Sequence, residues 1–197
     1  LPSYYVYEAL KRHATVAITG DGGDEIFAGY LHARGFYWRD KWGRWPLLAW
    51  GAGGIARCVP GYRRYKTLRH AVSLGNYLGL PGERAFALTR STAWNEDARG
   101  LLRHAAESDS YLERAFGGAV ADSDLHRMLA ADRITTLPDA YLLKVDRTSM
   151  AHGVEARCPL LDQDLLQTAQ QIPGKVLMAA GATKALQRKV AEAYLPH

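Results

Sequence analysis

An apolar, strand-prone stretch, Val16-Ala17-Ile18-Thr19, runs directly into Gly20-Asp21-Gly22-Gly23-Asp24-Glu25, a turn that holds three carboxylates and three glycines. A strand ending in such a turn places amides and carboxylates at the carboxyl edge of a sheet, where open α/β sheets bind ligands, and the glycines permit positive φ and close backbone approach. Residues 14–33 contain no Lys or Arg, so Asp21 and Asp24 cannot both be neutralised within this segment. A divalent cation can do so, and Mg²⁺ held by one or two carboxylates plus phosphate oxygens suits these ligands. A turn that only capped the next helix would need one acidic residue rather than three.

A second long motif runs from Leu137-Pro138-Asp139-Ala140-Tyr141-Leu142-Leu143-Lys144-Val145-Asp146-Arg147 through Gly153-Val154-Glu155-Ala156-Arg157-Cys158-Pro159-Leu160-Leu161-Asp162, and a short third one, Gly181-Ala182-Thr183-Lys184, opens the last helix. In this order the three resemble the synthetase domain of glutamine-dependent asparagine synthetases, over residues 1–33 and 123–196. The resemblance implies an α/β, adenine-nucleotide-hydrolase-like (ATP pyrophosphatase) domain, truncated at its amino-terminal side and with a large helical portion. It implies the chemistry as well: ATP activates the side-chain carboxylate of aspartate as an acyl-adenylate, pyrophosphate leaves, and ammonia derived from glutamine attacks to give asparagine and AMP. Carried over position by position, Asp24 is the Mg²⁺ ligand, and Thr19, Gly20, Gly22 and Gly23 meet the nucleotide. Asp21 takes part in adenylate formation and handling of the amine, and Lys184 steadies the polyphosphate leaving group as a point charge on a long stem. Asp21 also reads as a turn carboxylate bonded to nearby amides, and on the residues alone Lys184 reads as a solvent-exposed lysine on an amphipathic helix.

The serine-bearing Ser-Gly-Gly-x-Asp-Ser type loop that surrounds pyrophosphate in the family does not occur in these 197 residues, and neither does an amino-terminal cysteine nucleophile. Gly51-Ala52-Gly53-Gly54 has neither the serine nor the acidic residue. The chain therefore reads as the carboxyl-terminal part of a synthetase domain, with the glutaminase and phosphate-loop segments supplied from upstream and a homodimer open to the full-length protein. The start at Leu1 lacks an initiator Met, which also fits a fragment or a processed chain. Two other readings stand beside it: a relative that amidates a sugar acid or closes a lactam or peptide ring, and a non-catalytic module that binds through a basic aromatic surface.

That surface is residues 34–70, where nine Lys and Arg face Asp40 alone, a balance of +8 in a chain whose total is +5. Trp42, Trp45, Trp50, Tyr62 and Tyr65 are interleaved with it. No nucleic-acid-binding motif accompanies the charge, so solvated basic helix faces over an aromatic core explain it. At 48% hydrophobic residues the chain can bury a core, yet it has no run of ~18 apolar residues that could span a membrane. Cys58 and Cys158 lie far apart with no second thiol or His at ligand spacing, which points to packing residues in a reducing, cytoplasmic setting.

Periodicity predicts a helix over 3–13, with Tyr4, Tyr7 (or Val6) and Leu10 on one face, and a buried strand over 15–19. The middle, 34–122, is punctuated by Pro and Gly into short segments, with helices at 83–90 and 110–116. Asp122 or Ser123 can cap a helix that Pro138 interrupts, and Asp139 can begin another through about Ala151. Asp162 can cap a helix over 163–171 that Pro173-Gly174 stops, and a last helix runs over about 182–194. No domain boundary stands out, and the second half reads as a helical layer beside the sheet. Lys144, Asp146, Arg147, Glu155 and Arg157 alternate sign among apolar residues, which places several of them in or beside the core. Lys144 can pair with Asp146 or Glu155, and Arg157 with Glu155 or Asp162, either as a structural network or as substrate contacts. His152 has no second ligand at helical spacing and reads as ordinary.

Overall fold

The computed structural model describes residues 2–42, 78–90 and 111–195, with isolated positions between 51 and 75. In chain order its elements are α1 (Pro2–Leu10), β1 (Val16–Ile18), α2 (Gly23–Ile26), α3 (Ala33–Trp42), α4 (Gly82–Arg90), α5 (Tyr111–Gly117), α6 (Asp124–Ile134), α7 (Leu143–Met150), β2 (Glu155–Arg157), α8 (Gln163–Gln170), α9 (Gly174–Leu177) and α10 (Ala185–Ala191). The described residues are mostly helical. They form two compact units, one of Leu1–Tyr30 with Leu129–His197, the other of Leu31–Met128.

In the first unit β1 and β2 pair in parallel, with Val16 opposite Glu155, Ala17 opposite Ala156 and Ile18 opposite Arg157. Because side chains alternate across a strand, Ala17 and Ala156 share one face. That face is covered by α1 and α7: Tyr7, Val145 and Val154 are buried together, with Leu10, Ala17 and Ala156 packed against them. The other face carries Val16 and Ile18, which are 38% and 80% exposed. The expectation of a buried strand over 15–19 is thus corrected: among the described residues only one face of the pair has a helical cover.

Pro138 lacks an N–H and its ring crowds the carbonyl four residues back, so an ordinary α-helix cannot run through it. Nor does the helix stop there, as the sequence suggests. The chain widens into a π-helical turn, Leu137–Leu142, whose closing bond runs from Leu143 N–H to Pro138 C=O, and α7 continues from it. Asp162 caps α8 as expected, its Oδ1 accepting from Asp164 N (3.0 Å) and Leu165 N (3.2 Å). Pro173-Gly174 ends that helix and at once begins α9. The last helix is shorter than its apolar stripe, beginning at Ala185 because Lys184 sits in the left-handed region at φ 54°.

In the second unit Phe36, Phe86 and Phe116 are fully buried, with the Phe116 ring centroid 5.6 Å from Phe36 and 5.7 Å from Phe86. Gly82 faces the Phe116 ring so closely that a Cβ there would overlap it, which ties α4 to α5. Ser123 caps α6 through its Oγ, which accepts from His126 N at 3.2 Å. Asp40 accepts from Asp124 N (2.8 Å) and Leu125 N (3.0 Å) at the same end, while Arg39, itself buried, pairs with the Asp124 carboxylate. Lys41 lies over the Trp38 ring at 5.0 Å. Parts of the basic stretch, including Arg44, Trp45, Trp50, Arg57, Tyr62, Arg63, Lys66 and Arg69, and the 52–53 part of its glycine run, lie outside the described residues.

The charged residues of the second motif are not in the core. Lys144, Asp146, Arg147, Glu155 and Arg157 are all exposed, because α7 buries only the narrow stripe of Val145 and Ser149, and Glu155 and Arg157 stand opposite Val16 and Ile18 on the uncovered face of the strand pair. Of the pairings considered, Arg157 takes Glu155 as partner, Nε to Oε1 at 2.8 Å, on the surface. Cys58 is exposed rather than packed, and Cys158 is half-buried.

Candidate functional site

The strand-end turn of the first unit holds the candidate site. Thr19 continues β1 by donating its N–H to Arg157 C=O at 2.8 Å, and its Oγ1 lies 3.2 Å from Cys158 Sγ. The ends of β1 and β2 are thereby tied together where the acidic turn begins. Beyond Thr19 the glycines divide by role. Gly20 keeps a negative φ, contrary to the conformational argument from sequence, and the space a Cβ would occupy there is open. Gly22 does adopt the left-handed conformation, at φ 88°, and is buried with Leu161 filling the space beside its Cα. Gly23 is buried against Leu160 and Gln187, and its N–H donates back to Gly20 C=O at 3.3 Å. Gly22 needs to be glycine for its φ and its packing on the short 3₁₀ turn Pro159–Leu161, and Gly23 packs closely on the same turn, a relation that the sequence alone does not reveal.

The two carboxylates face different neighbours. Asp21 is half-buried and lies close enough to Tyr7 that its charge, with that of Cys158, adds to burial in pushing the Tyr7 hydroxyl above its ordinary pKa. Asp24, in the first turn of α2, meets Lys184 from the start of α10: Nζ stands 2.6 Å from Oδ1. That oxygen is buried and takes no regular hydrogen bond from the described residues. A Cβ on Gly29 would fall on the Asp24 carboxylate and on Lys184 Cε, so the bare Cα of Gly29 forms the third wall. Gly29 N–H in turn donates to Asp24 C=O at 3.0 Å, closing α2.

Behind this pair is a buried polar layer that the spacing arguments missed. Glu25 is 2% exposed and accepts from the Tyr30 hydroxyl at 2.6 Å. Burial raises the Glu25 carboxyl above its usual range; the bond from Tyr30 opposes this, and the charges of Asp132 and Asp24 add to it. Tyr30 is pushed upward as well, by burial first and then by its bond to Glu25. Its ring stacks on Tyr141 from the π-helical turn at 6.3 Å, and Lys144 lies over Tyr141 at 5.1 Å. The Ala28-Gly29-Tyr30 sequence at the end of the first motif was the available signal. His152, read as ordinary, is buried against the Tyr4 ring (4.3 Å).

Chemically, the turn offers one buried hard oxygen, a second carboxylate, and a mobile-stemmed cation at the end of a strand. No group of three or more His, Cys, Asp or Glu side chains suited to a metal occurs among the described residues. A buried carboxylate oxygen whose close neighbour is an ammonium also fits a cation that takes its remaining ligands from phosphate and water, as Mg²⁺ does. No helix among the described residues is long and apolar enough to cross a membrane.

The asparagine synthase family model matches residues 1–197. Asparagine synthetase [glutamine-hydrolyzing] 1 of Bacillus subtilis is 30% identical over 209 residues, which cover 100% of this chain and 31% of that protein. Putative asparagine synthetases [glutamine-hydrolyzing] of Mycobacterium bovis and Mycobacterium tuberculosis are 28% identical over 206 residues, covering 100% of this chain and 30% of theirs. The chain thus spans about a third of the length of these relatives. No solved structure matches it significantly. With the family model covering it from end to end, the chain belongs to the asparagine synthase family.

Proposed function

We propose that this chain is the carboxyl-terminal part of an adenine-nucleotide-hydrolase-like synthetase domain that forms an amide bond through an acyl-adenylate, with aspartate as the carboxylate and glutamine-derived ammonia as the amine. The observation that carries the reading is the meeting of Asp24 and Lys184 at the end of β1. Two residues from motifs at opposite ends of the chain, one suited to a cation and one to a phosphate, share a site on a sheet edge.

In this reading the open position at Gly20 and the backbone at Thr19 receive the nucleotide, while Gly22 and Gly23 shape the turn by packing on Leu160 and Leu161. Asp24 would hold Mg²⁺, which when bound offsets the charge of the triphosphate and orients its leaving group. Lys184 contributes positive charge to the departing pyrophosphate as the aspartate carboxylate attacks the α-phosphorus. Ammonia then attacks the acyl carbon, AMP leaves, and one proton must be taken from the nitrogen. Asp21, half-buried beside Tyr7, would take that proton from the amine. The serine-bearing phosphate loop is not in this sequence, so the remaining amide donors to the polyphosphate come from another segment.

The reading is tested by incubating the full-length protein with ATP, Mg²⁺, aspartate and ammonia or glutamine, and following AMP, pyrophosphate and asparagine. Equal yields of the three support it. ATP cleavage to ADP, or release of pyrophosphate that responds to a different carboxylate and not to aspartate, rejects the assignment.

A further inference from the structure

We propose that the Lys184 ammonium is the resident counter-ion of Asp24, and that a divalent cation gains the Asp24 Oδ1 oxygen only by displacing it. The inference rests on the reading of Asp24 as the cation ligand and goes beyond it, since it makes the two candidate residues exchange partners rather than act side by side.

The Oδ1 oxygen already has a cation against it. Oδ1 is buried, Lys184 Nζ stands 2.6 Å from it, and Gly29 closes the remaining side so tightly that a single added methyl would overlap both partners. A Mg²⁺ ion bonds a carboxylate oxygen at about 2.0–2.1 Å. An ion at that distance and an ammonium on the same oxygen would be two positive charges a few ångströms apart in a half-buried setting. Lys184 has the means to leave: its side chain is 42% exposed and its stem is flexible. Its backbone holds the seat from a left-handed conformation, which a residue with a Cβ keeps only where its surroundings fix it. Displacement would carry the ammonium away from the carboxylate at the moment the cation arrives, freeing it for an anion brought with the metal.

The experiment is a Mn²⁺ titration of the full-length protein without nucleotide, read by the electron paramagnetic resonance of free Mn²⁺. The wild type is compared with Lys184→Gln, Lys184→Met and Asp24→Asn, with circular dichroism on each. Removing a half-exposed competing ion pair should tighten Mn²⁺ binding about two- to fivefold in both Lys184 variants, and Asp24→Asn should remove the site. Unchanged or weaker binding in the folded Lys184 variants, with loss in Asp24→Asn, overturns the exchange but leaves Asp24 as a cation ligand. Wild-type binding in Asp24→Asn overturns both. A readout on the unmutated protein guards against misfolded variants: after reductive ¹³C-methylation, the Lys184 resonance should shift on adding Mg²⁺, and a resonance unmoved at saturation contradicts the exchange.

Discussion

Lys184 Nζ stands 2.6 Å from Asp24 Oδ1, and Gly29 is what lets the two approach. A helix that ends in a left-handed residue usually places glycine there. Here the left-handed residue after α2 is Ala28, at φ 53°, and the glycine stands one position later, against the ion pair. Gly29→Ala should therefore act on the site and not on backbone freedom. The added methyl forces the Asp24 carboxylate out of place, at an overpacking cost of about 1–3 kcal/mol, and pyrophosphate release should fall at least ~10-fold. Urea unfolding and a steady-state assay on the same preparation check both. Full activity at wild-type stability would contradict the packing argument.

Tyr30→Phe removes the hydroxyl that donates to the buried Glu25 carboxylate. A buried acceptor deprived of its donor costs about 1–3 kcal/mol, and the loss should appear in the urea midpoint. A midpoint equal to that of the wild type would mean that Glu25 is satisfied without Tyr30.

Asp162→Ala removes the cap whose Oδ1 accepts two amides at the start of α8. Loss of such a cap costs about 0.5–2 kcal/mol. Stability should fall by that amount in chemical denaturation while activity under folded conditions is retained.

The Glu155–Arg157 pair lies fully on the surface, where its partners are screened by water. Arg157 lowers the Glu155 carboxyl through their hydrogen bond and its charge, and Glu155 raises Arg157 in the same way. Glu155→Gln should leave the thermal midpoint unmoved at neutral pH. Any accompanying loss of turnover then assigns Glu155 to substrate contact rather than to a structural network.

Much of the local structure is legible in the sequence because its causes are local. Asp162 caps α8 and Ser123 caps α6 through bonds that span two or three residues, and Tyr7 and Leu10 mark the buried face of α1 by spacing alone. What spacing could not show depends on residues far away in sequence. Val16 and Ile18 look like core from their apolarity, yet their exposure is decided by which elements cover the second face of the strand pair. The alternating charges of 144–157 look like a buried network, yet α7 turns only Val145 and Ser149 inward. Gly22 is equally ambiguous in the motif, since the need for a bare Cα is imposed by Leu161. For the site, the residue types suggest the chemistry of Asp24 and Lys184 separately; their contact depends on the fold.

Asp24→Asn in the full-length protein tests the role of the Asp24 carboxylate, with Mg²⁺-dependent, aspartate-dependent pyrophosphate release as the measurement. Asn keeps the volume of the side chain and removes its charge, so the fold should hold by circular dichroism. Loss of a single electrostatic contributor of this kind costs about 10²–10³ in rate, and pyrophosphate release should fall at least that far. Pyrophosphate release at the wild-type rate and Mg²⁺ dependence, from a folded Asp24→Asn protein, would contradict that role.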